Sequence, residues 1–130
     1  MKKVVTLFLV IILFASCDSP AGYDYYIIND CKEKINVSLI DSKNKSFTYS
    51  IGTGEKQLVY HYESINFLED YMVERWIKEI TITKDDTTSK VNYIDRKLWR
   101  FEPTSKKHAN SYLTVKPEDF EEKQSSGNRR

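Results

Sequence analysis

The sequence predicts an all-β fold: an antiparallel β-sandwich of seven to eight strands with one short helix, preceded by a signal peptide. Three observations support this fold class. Apolar and polar residues alternate over short runs, turn-forming residues separate these runs at nearly regular intervals, and no alternation of strands with helices is present. A small barrel is the alternative arrangement of the same strands.

The beginning of the chain has the order of a secretory signal. Lys2 and Lys3 provide positive charge, residues 4–14 are almost entirely apolar, and two small residues lead into Cys17. The apolar run is too short to span a bilayer as a permanent helix, so it predicts a segment that is removed after export.

The residues Phe-Ala-Ser-Cys at 14–17 resemble the lipobox of bacterial lipoproteins, in which a large apolar residue and two small residues precede an invariant cysteine. The resemblance implies a mature chain that begins at Cys17, carries a diacylglycerol on its sulfur and is usually N-acylated. Two or three acyl chains hold a protein firmly at a membrane. The alternative is a plain secretory signal that leaves Cys17 as a thiol; lipidation is favoured because this cysteine directly follows the apolar run and two small residues.

These signals divide the chain into a signal peptide at residues 1–16, a lipidated tether at 17–24, a β-sandwich domain at 25–120 and a disordered tail at 121–130. Removal of the leader takes away two lysines and no acidic residue, so the formal net charge falls from +1 to −1. A nearly neutral domain lacks the basic face that nucleic-acid binding needs. The tail contains no apolar side chain to bury, which predicts its disorder.

Alternation identifies the first half of the sandwich. Residues 25–28 are aromatic and β-branched, residues 35–39 and 46–51 alternate apolar with polar side chains, and residues 57–62 are partly apolar on both faces. Asn, Asp and Gly lie between these runs, where they favour turns. The spacing predicts four strands joined by short loops.

The second half repeats the pattern after an ambiguous stretch. Residues 64–76 place apolar side chains at spacings of three and four, which predicts one or two helical turns; a loop that runs into a strand near Arg75 is the alternative. A turn at Lys84-Asp85-Asp86 and a polar connection at 103–110 separate the remaining runs. The further predicted strands are residues 77–83, 90–94, 97–101 and 111–115.

Several segments along the chain carry a second resemblance: the lipobox, Tyr-Tyr-Ile-Ile-Asn at 25–29, Ile-Gly-Thr-Gly-Glu at 51–55, and the final segment at 112–120. Together they are similar to small Bacteroidota-type lipoproteins with an immunoglobulin-like β-sandwich and no assigned activity. The resemblance implies a place in the cell envelope, lipid-anchored to the outer membrane on its periplasmic face or at the cell surface. It implies no catalytic residue.

No motif predicts catalysis, a metal site or a cofactor. His61 and His108 are far apart in sequence and lack a His or Cys at metal-binding spacing, so we expect His61 on a strand face and His108 in a solvated loop. If Cys17 carries lipid, Cys31 has no disulfide partner within the chain. We expect Cys31 to be a small, partly buried residue near the end of a strand.

This composition favours a non-catalytic binding or structural module of the envelope. Trp76, Trp99 and the tyrosines are candidates for an exposed platform that holds a glycan or an envelope protein; the alternative is that they fill the core. A basic cluster suited to anionic lipid or polysaccharide consists of Arg96, Lys97, Arg100, Lys106 and Lys107.

Thr87 is a candidate modification site, and a glycan hydrolase is a second candidate function. Thr87, in Asp-Thr-Thr at 86–88, resembles the acceptor triplet for O-glycosylation in exported Bacteroidota proteins. The alternative function is a small envelope hydrolase acting on glycans, which needs converging carboxylates, or a histidine and a hydroxyl in a pocket.

Overall fold

The structure, a computed structural model, describes residues 21–64 and 73–121. In these ranges the chain forms eight strands in two four-stranded sheets, which confirms the prediction of an all-β sandwich. The strands are β1 (Ala21–Asn29), β2 (Ile35–Asp41), β3 (Ser46–Ile51), β4 (Lys56–Ser64), β5 (Ile77–Lys84), β6 (Thr87–Thr88), β7 (Trp99–Ser105) and β8 (His108–Val115).

The first sheet has the strand order β4-β1-β8-β7. Its pairs are antiparallel except for that of β1 and β8, the first and last described strands, which lie side by side and run parallel. A bulge after Tyr25 shifts the register between β1 and β4, so that Tyr26 lies opposite Leu58. On its other side Tyr26 lies opposite Tyr112 of β8.

The second sheet has the strand order β3-β2-β5-β6, and all of its pairs are antiparallel. The buried Asp41 stabilises the turn between β2 and β3, because its carboxylate accepts hydrogen bonds from the backbone N–H groups of Lys43 and Lys45. Asp85 and Asp86 both have positive φ, 47° and 64°, as a two-residue hairpin turn requires. This confirms the turn predicted at 84–86 and explains why Thr87–Thr88 pairs with β5.

The hydrophobic core lies between the two sheets and consists mainly of alternate residues along the strands. In β1 these residues include Tyr23, Tyr25 and Ile27, each at most 7% exposed. Trp99 of β7 contacts the Tyr25 ring edge-on, with ring centroids 5.7 Å apart. The inward faces therefore bury large aromatic rings together with β-branched side chains.

Residues 90–94 are a loop, so the strand predicted there is wrong. The alternation has another cause: Tyr93 packs into the core from the loop, and Val91 packs beside it half-buried. The backbone of this stretch forms local bonds instead of a ladder, since the Asp95 N–H donates to the Asn92 carbonyl. A 3₁₀ turn at Arg96–Leu98 then leads into β7.

Two strand boundaries also differ from those expected. β1 begins at Ala21, four residues before the predicted start, because the Gly22 N–H bonds the Lys107 carbonyl and its neighbours pair with β4 and β8. The predicted polar connection at 103–110 is instead a tight hairpin, in which β7 continues to Ser105 and β8 starts at His108.

The helix predicted at 64–76 falls partly outside the described residues. Its last turn is present as α1 (Val73–Trp76), whereas residues 65–72 are not described. The predicted leader, Cys17 and nearly all of the predicted tail also lie outside the described ranges. Among the residues that are described, no helix has the length and apolar character needed to cross a membrane.

Candidate functional site

The outward side of the first sheet carries the candidate site. In β1, Gly22, Asp24, Tyr26 and Ile28 point away from the core, because side chains alternate along a strand. They are only half-exposed, and β4 and β8 lie on either side of them. The centre of this face is therefore packed closely enough to hold its side chains in defined positions.

Cross-strand register lines up four side chains across the sheet, and we call them the aromatic–cationic row: Leu58, Tyr26, Tyr112 and Arg100. The rings of Tyr26 and Tyr112 stack, with centroids 5.4 Å apart and planes inclined by 18°. The Arg100 guanidinium lies 4.7 Å from the centre of the Tyr112 ring. Leu58, at the opposite end, is 40% exposed.

Lys56 adds a second cation to this row. Its Nζ lies 5.1 Å from the centre of the Tyr26 ring and 5.5 Å from that of Tyr112. Attraction between a cation and the face of an aromatic ring holds such ammonium groups in place. Burial raises the pKa of the Tyr26 hydroxyl, and the nearby Asp24 carboxylate raises it further, so the phenol stays neutral and can donate a hydrogen bond.

Beside the row, one carboxylate joins both histidines of the chain; we call Asp24, His61 and His108 the histidine–aspartate cluster. Asp24 Oδ1 lies 2.5 Å from His61 Nδ1 of β4, and Asp24 Oδ2 lies 2.8 Å from His108 Nε2 of β8. Gly22 makes room for the His108 ring, because a Cβ at this position would lie 3.2 Å from His108 Cδ2.

The outer nitrogen of each imidazole also has a partner. His61 Nε2 lies 3.3 Å from Glu63 Oε1, and His108 Nδ1 lies 2.6 Å from Thr104 Oγ1. All four ring nitrogens are therefore engaged within the protein. The cluster is a closed network that ties β4, β1 and β8 together, and its imidazoles do not present an open nitrogen to a substrate.

The charges of the cluster support one another. Burial raises the pKa of Asp24, but the hydrogen bonds and positive charges of His61 and His108 outweigh it and hold that pKa below its ordinary value. The hydrogen bond to Asp24 raises the pKa of His61 above its ordinary value, against the effect of burial and with help from Glu63. A protonated His61 beside an ionised Asp24 is thus the favoured state in mild acid.

We expect the stability that this pair contributes to be greatest between about pH 4 and 6.5. The contribution of His61 is fully present below its unfolded pKa of about 6.5 and is lost as pH rises through its higher folded pKa. That of Asp24 is present above about pH 4 and is lost as pH falls through its lower folded pKa. Because the His61 side chain is 48% exposed, we expect His61→Gln to cost at most about 1 kcal/mol at pH 5.5.

Urea unfolding of the wild type and of His61→Gln at pH 5.5 and pH 8.5 measures this effect. The destabilisation by the variant should shrink at the higher pH, because the stability that His61 contributes is lost as pH rises through its raised folded pKa. A destabilisation that is equal at the two pH values, or larger at pH 8.5, would contradict the assigned pairing.

The structure places the two tryptophans away from the aromatic–cationic row. Trp99 is only 5% exposed and donates its indole N–H to the Tyr93 carbonyl at 2.7 Å. It therefore belongs to the core, which is the alternative that the sequence left open, and does not form part of an exposed platform. Trp76 is half-buried at the end of α1, and its ring stacks on Tyr62 with centroids 3.6 Å apart. The exposed aromatic surface of the first sheet is formed by tyrosines.

The other predicted residues take varied positions. Thr87 is exposed at the start of β6, where its glycosylation stays a prediction. Cys31 is buried just after β1 with its Sγ 3.8 Å from the Val115 carbonyl oxygen, and burial raises the pKa of its thiol. Cys17 lies outside the described residues, so its lipidation also stays a prediction.

One histidine prediction is confirmed and the other is wrong. His61 lies on a strand face, as expected, whereas His108 begins β8 and is half-buried, because the hairpin packs it beside Gly22. The predicted tether includes Asp24, so sequence reasoning misses the role of this residue. The alternation of Ala21 and Tyr23 with Gly22 and Asp24 is the signal that extends β1 back to these residues.

The predicted basic cluster is divided in the structure. Lys97 and Arg100 line a cleft beside Tyr112. Arg96 instead bonds Glu74 of α1, with an N–O distance of 3.2 Å. Lys106 and Lys107 lie in the hairpin turn between β7 and β8. Of these five residues, Lys97 and Arg100 therefore share the cleft, and Arg100 also belongs to the aromatic–cationic row.

Within residues 21–64 and 73–121, no group of three or more His, Cys, Asp and Glu side chains is arranged to hold a metal ion. Comparison of the chain with protein-family models, with curated proteins and with solved structures finds no match in any of the three.

Proposed function

We propose that this chain is a lipid-anchored protein of the cell envelope whose β-sandwich is a non-catalytic binding module. The observation that carries the proposal is the aromatic–cationic row, which spans all four strands of the first sheet on its outward side. Tyrosine and arginine are enriched among the residues that dominate binding energy. Stacked rings flanked by two cations suit a ligand with polar rings, such as a glycan.

The strands that carry the row, and the cluster beside it, also favour a binding function. Binding sites on strands are positioned more accurately than sites on loops, because the backbone ladder fixes them. The histidine–aspartate cluster links β4, β1 and β8 directly beside the row. A ligand would therefore meet side chains that are already ordered, which lowers the entropy cost of binding.

The leader supports the location. Positive charge, an apolar run, two small residues and Cys17 follow one another in the order of a lipoprotein signal. A tether of a few residues would then hold the domain at the membrane surface, with an envelope polymer or protein as its partner. Outer-membrane attachment, on the periplasmic face or at the cell surface, is part of this proposal.

Photo-crosslinking in cells tests the binding face and does not require an identified ligand. Leu58→p-benzoylphenylalanine places a photoreactive group at the exposed end of the row, and Thr48→p-benzoylphenylalanine places the same group on the outer face of the second sheet. Under ultraviolet light we expect a heavier adduct from position 58 and none from position 48. The full chain with its leader is used, so that the protein reaches its own compartment.

A second variant shows whether the row itself holds the ligand. Removal of a binding tyrosine costs about 2 kcal/mol, or roughly thirtyfold in affinity. Tyr112→Ala should therefore reduce the adduct from position 58 to a small fraction while leaving the amount of folded protein unchanged. Equal adducts from both positions, or an adduct that survives Tyr112→Ala, would count against this face.

The glycan hydrolase remains the alternative, and one feature favours it: Thr104, His108 and Asp24 form a hydroxyl–imidazole–carboxylate chain. The closed hydrogen bonding of both imidazoles favours a structural role instead. The number of reducing ends of a bound polysaccharide, counted before and after incubation with the protein, distinguishes the binding module from the hydrolase. A constant count supports the binding module, whereas an increase that Asp24→Asn abolishes would establish the hydrolase.

A further inference from the structure

A cleft of about 300 Å³ lies next to the aromatic–cationic row, between the β7–β8 pair and the loop that precedes β7. Its lining includes Lys97, Leu98, Arg100, Tyr112, Lys116 and Asp119. The volume is at the lower end of the range for ligand pockets. It is large enough for a small polar ring and too small for a folded partner.

The charge of the cleft is predominantly positive. Lys97, Arg100 and Lys116 contribute three cations and Asp119 a single carboxylate. That carboxylate is already engaged, because Asp119 Oδ2 accepts hydrogen bonds from the Lys116 backbone N–H and from the Tyr93 hydroxyl. Arg100 lies 3.8 Å from Glu102, a pair in which both side chains are more than half exposed and therefore weakly coupled.

The cleft and the row are continuous. Tyr112 and Arg100 belong to both, and the Arg100 guanidinium lies over the Tyr112 ring. Leu98 is 43% exposed in the cleft lining and offers an apolar surface next to the cations. A chain of sugar rings lying across Tyr26 and Tyr112 would thus reach the cleft with its next ring.

We infer that this cleft binds an anionic sugar residue of an extended polysaccharide, one that carries a carboxylate or a sulfate group. The inference rests on the proposed function and names the ligand class of that surface. Three cations around a small concave site complement a charged ring, and the planar guanidinium of Arg100 suits two oxygens of one acidic group. A concave site also favours a polymer over a lipid surface, which meets convex, protruding cations.

Affinity electrophoresis of the full chain, purified in a non-ionic detergent, tests the inference. The gels contain polygalacturonate, dextran sulfate or neutral dextran, so that the first two probes distinguish carboxylate from sulfate. We expect retardation by at least one anionic polymer, weakening as salt rises from about 50 to about 500 mM, and little retardation by dextran. The triple variant Lys97→Ala, Arg100→Ala and Lys116→Ala should bind about tenfold more weakly.

A matched control removes the same charge elsewhere. Lys34→Ala, Lys43→Ala and Lys78→Ala lie at exposed positions outside the cleft lining and also take away three cations. This control should bind within about twofold of the wild type, and both variants should keep the wild-type unfolding midpoint. Equal losses in the two triple variants would overturn the inference, since only overall charge would then matter.

Other outcomes separate the inference from the proposed function. Salt-independent binding to neutral dextran that Tyr112→Ala abolishes would overturn the anionic ligand and keep the binding face. Retention by phosphatidylglycerol vesicles without retention by any polymer would overturn the polysaccharide in favour of lipid. Failure to bind every probe would also overturn the inference, while the crosslinking from position 58 would still decide the proposed function.

Discussion

Trp99→Ala is expected to lower the free energy of unfolding by about 3–5 kcal/mol, as is typical when a large buried aromatic side chain is truncated. Domains of this kind have a total stability of about 5–15 kcal/mol, so this single change removes a large share of it. We expect this loss of stability to be larger than that caused by His61→Gln or by Leu98→Ala.

Two contacts explain the size of the effect. Trp99 is almost completely buried and contacts Tyr25 edge-on at a centroid distance of 5.7 Å, so its loss leaves a cavity between the sheets. Its indole N–H also donates to the Tyr93 carbonyl at 2.7 Å. Removal of the donor leaves a buried carbonyl without its hydrogen bond, which adds to the cost of the cavity.

Urea unfolding followed by circular dichroism measures this loss, with Leu98→Ala as the control. Leu98 is the neighbouring residue but is 43% exposed, so its truncation should change stability by no more than about 0.5 kcal/mol. A loss below about 1 kcal/mol for Trp99→Ala would be incompatible with a core position for this ring.

The strands of the second sheet could be predicted because their local pattern agrees with their environment. In β2, Ile35, Val37 and Leu39 alternate with exposed or half-exposed residues, and the structure buries these three. The turn at Asp85 and Asp86 could likewise be predicted, since aspartate tolerates the positive φ that a tight hairpin needs. In these segments the local pattern is sufficient to predict which residues form the strand and the turn.

The histidine–aspartate cluster could not be predicted in this way. Asp24 contacts His61 across 37 residues and His108 across 84 residues of sequence. These contacts depend on the parallel pairing of β1 with β8 and on the register of β4, and neither is encoded in a local pattern. Asp24 is also missed because the composition of residues 17–24 is typical of a tether, whereas β1 already begins at Ala21.

The exposed aromatic side chains could not be predicted from the local sequence either. Sequence composition identifies Trp76, Trp99 and the tyrosines as candidates, but it cannot tell the two faces of a sheet apart. Register places Trp99 inward, opposite Leu113, and places Tyr26 outward, opposite Tyr112. A shift of one residue would reverse both assignments, because side chains alternate with a period of two.

Cys17→Ser is expected to have the largest effect on the location of the protein. Only a thiol at this position can form the thioether bond to diacylglycerol, so the variant should lose its lipid completely. A single acyl chain holds a protein only marginally at a membrane, and a chain without any lipid loses this anchor altogether. The protein should then move from the membrane fraction to the soluble fraction of the envelope, or remain unprocessed.

The matched control is Cys31→Ser, which removes the other cysteine of the chain. Cys31 is buried beside the Val115 carbonyl, so this change affects packing without touching the proposed attachment point. The Cys31→Ser variant should therefore keep both its lipid and its membrane location. A loss of membrane location in this control alone would assign the effect to misfolding.

Metabolic labelling with a clickable fatty acid tests the central claim most directly, since the envelope ligand proposed for the first sheet presupposes delivery to a membrane surface. We predict that the wild type and Cys31→Ser incorporate the label and sediment with membranes, whereas Cys17→Ser does neither. A wild-type protein that incorporates no label, and whose membrane retention is unchanged in Cys17→Ser, would contradict lipid anchoring.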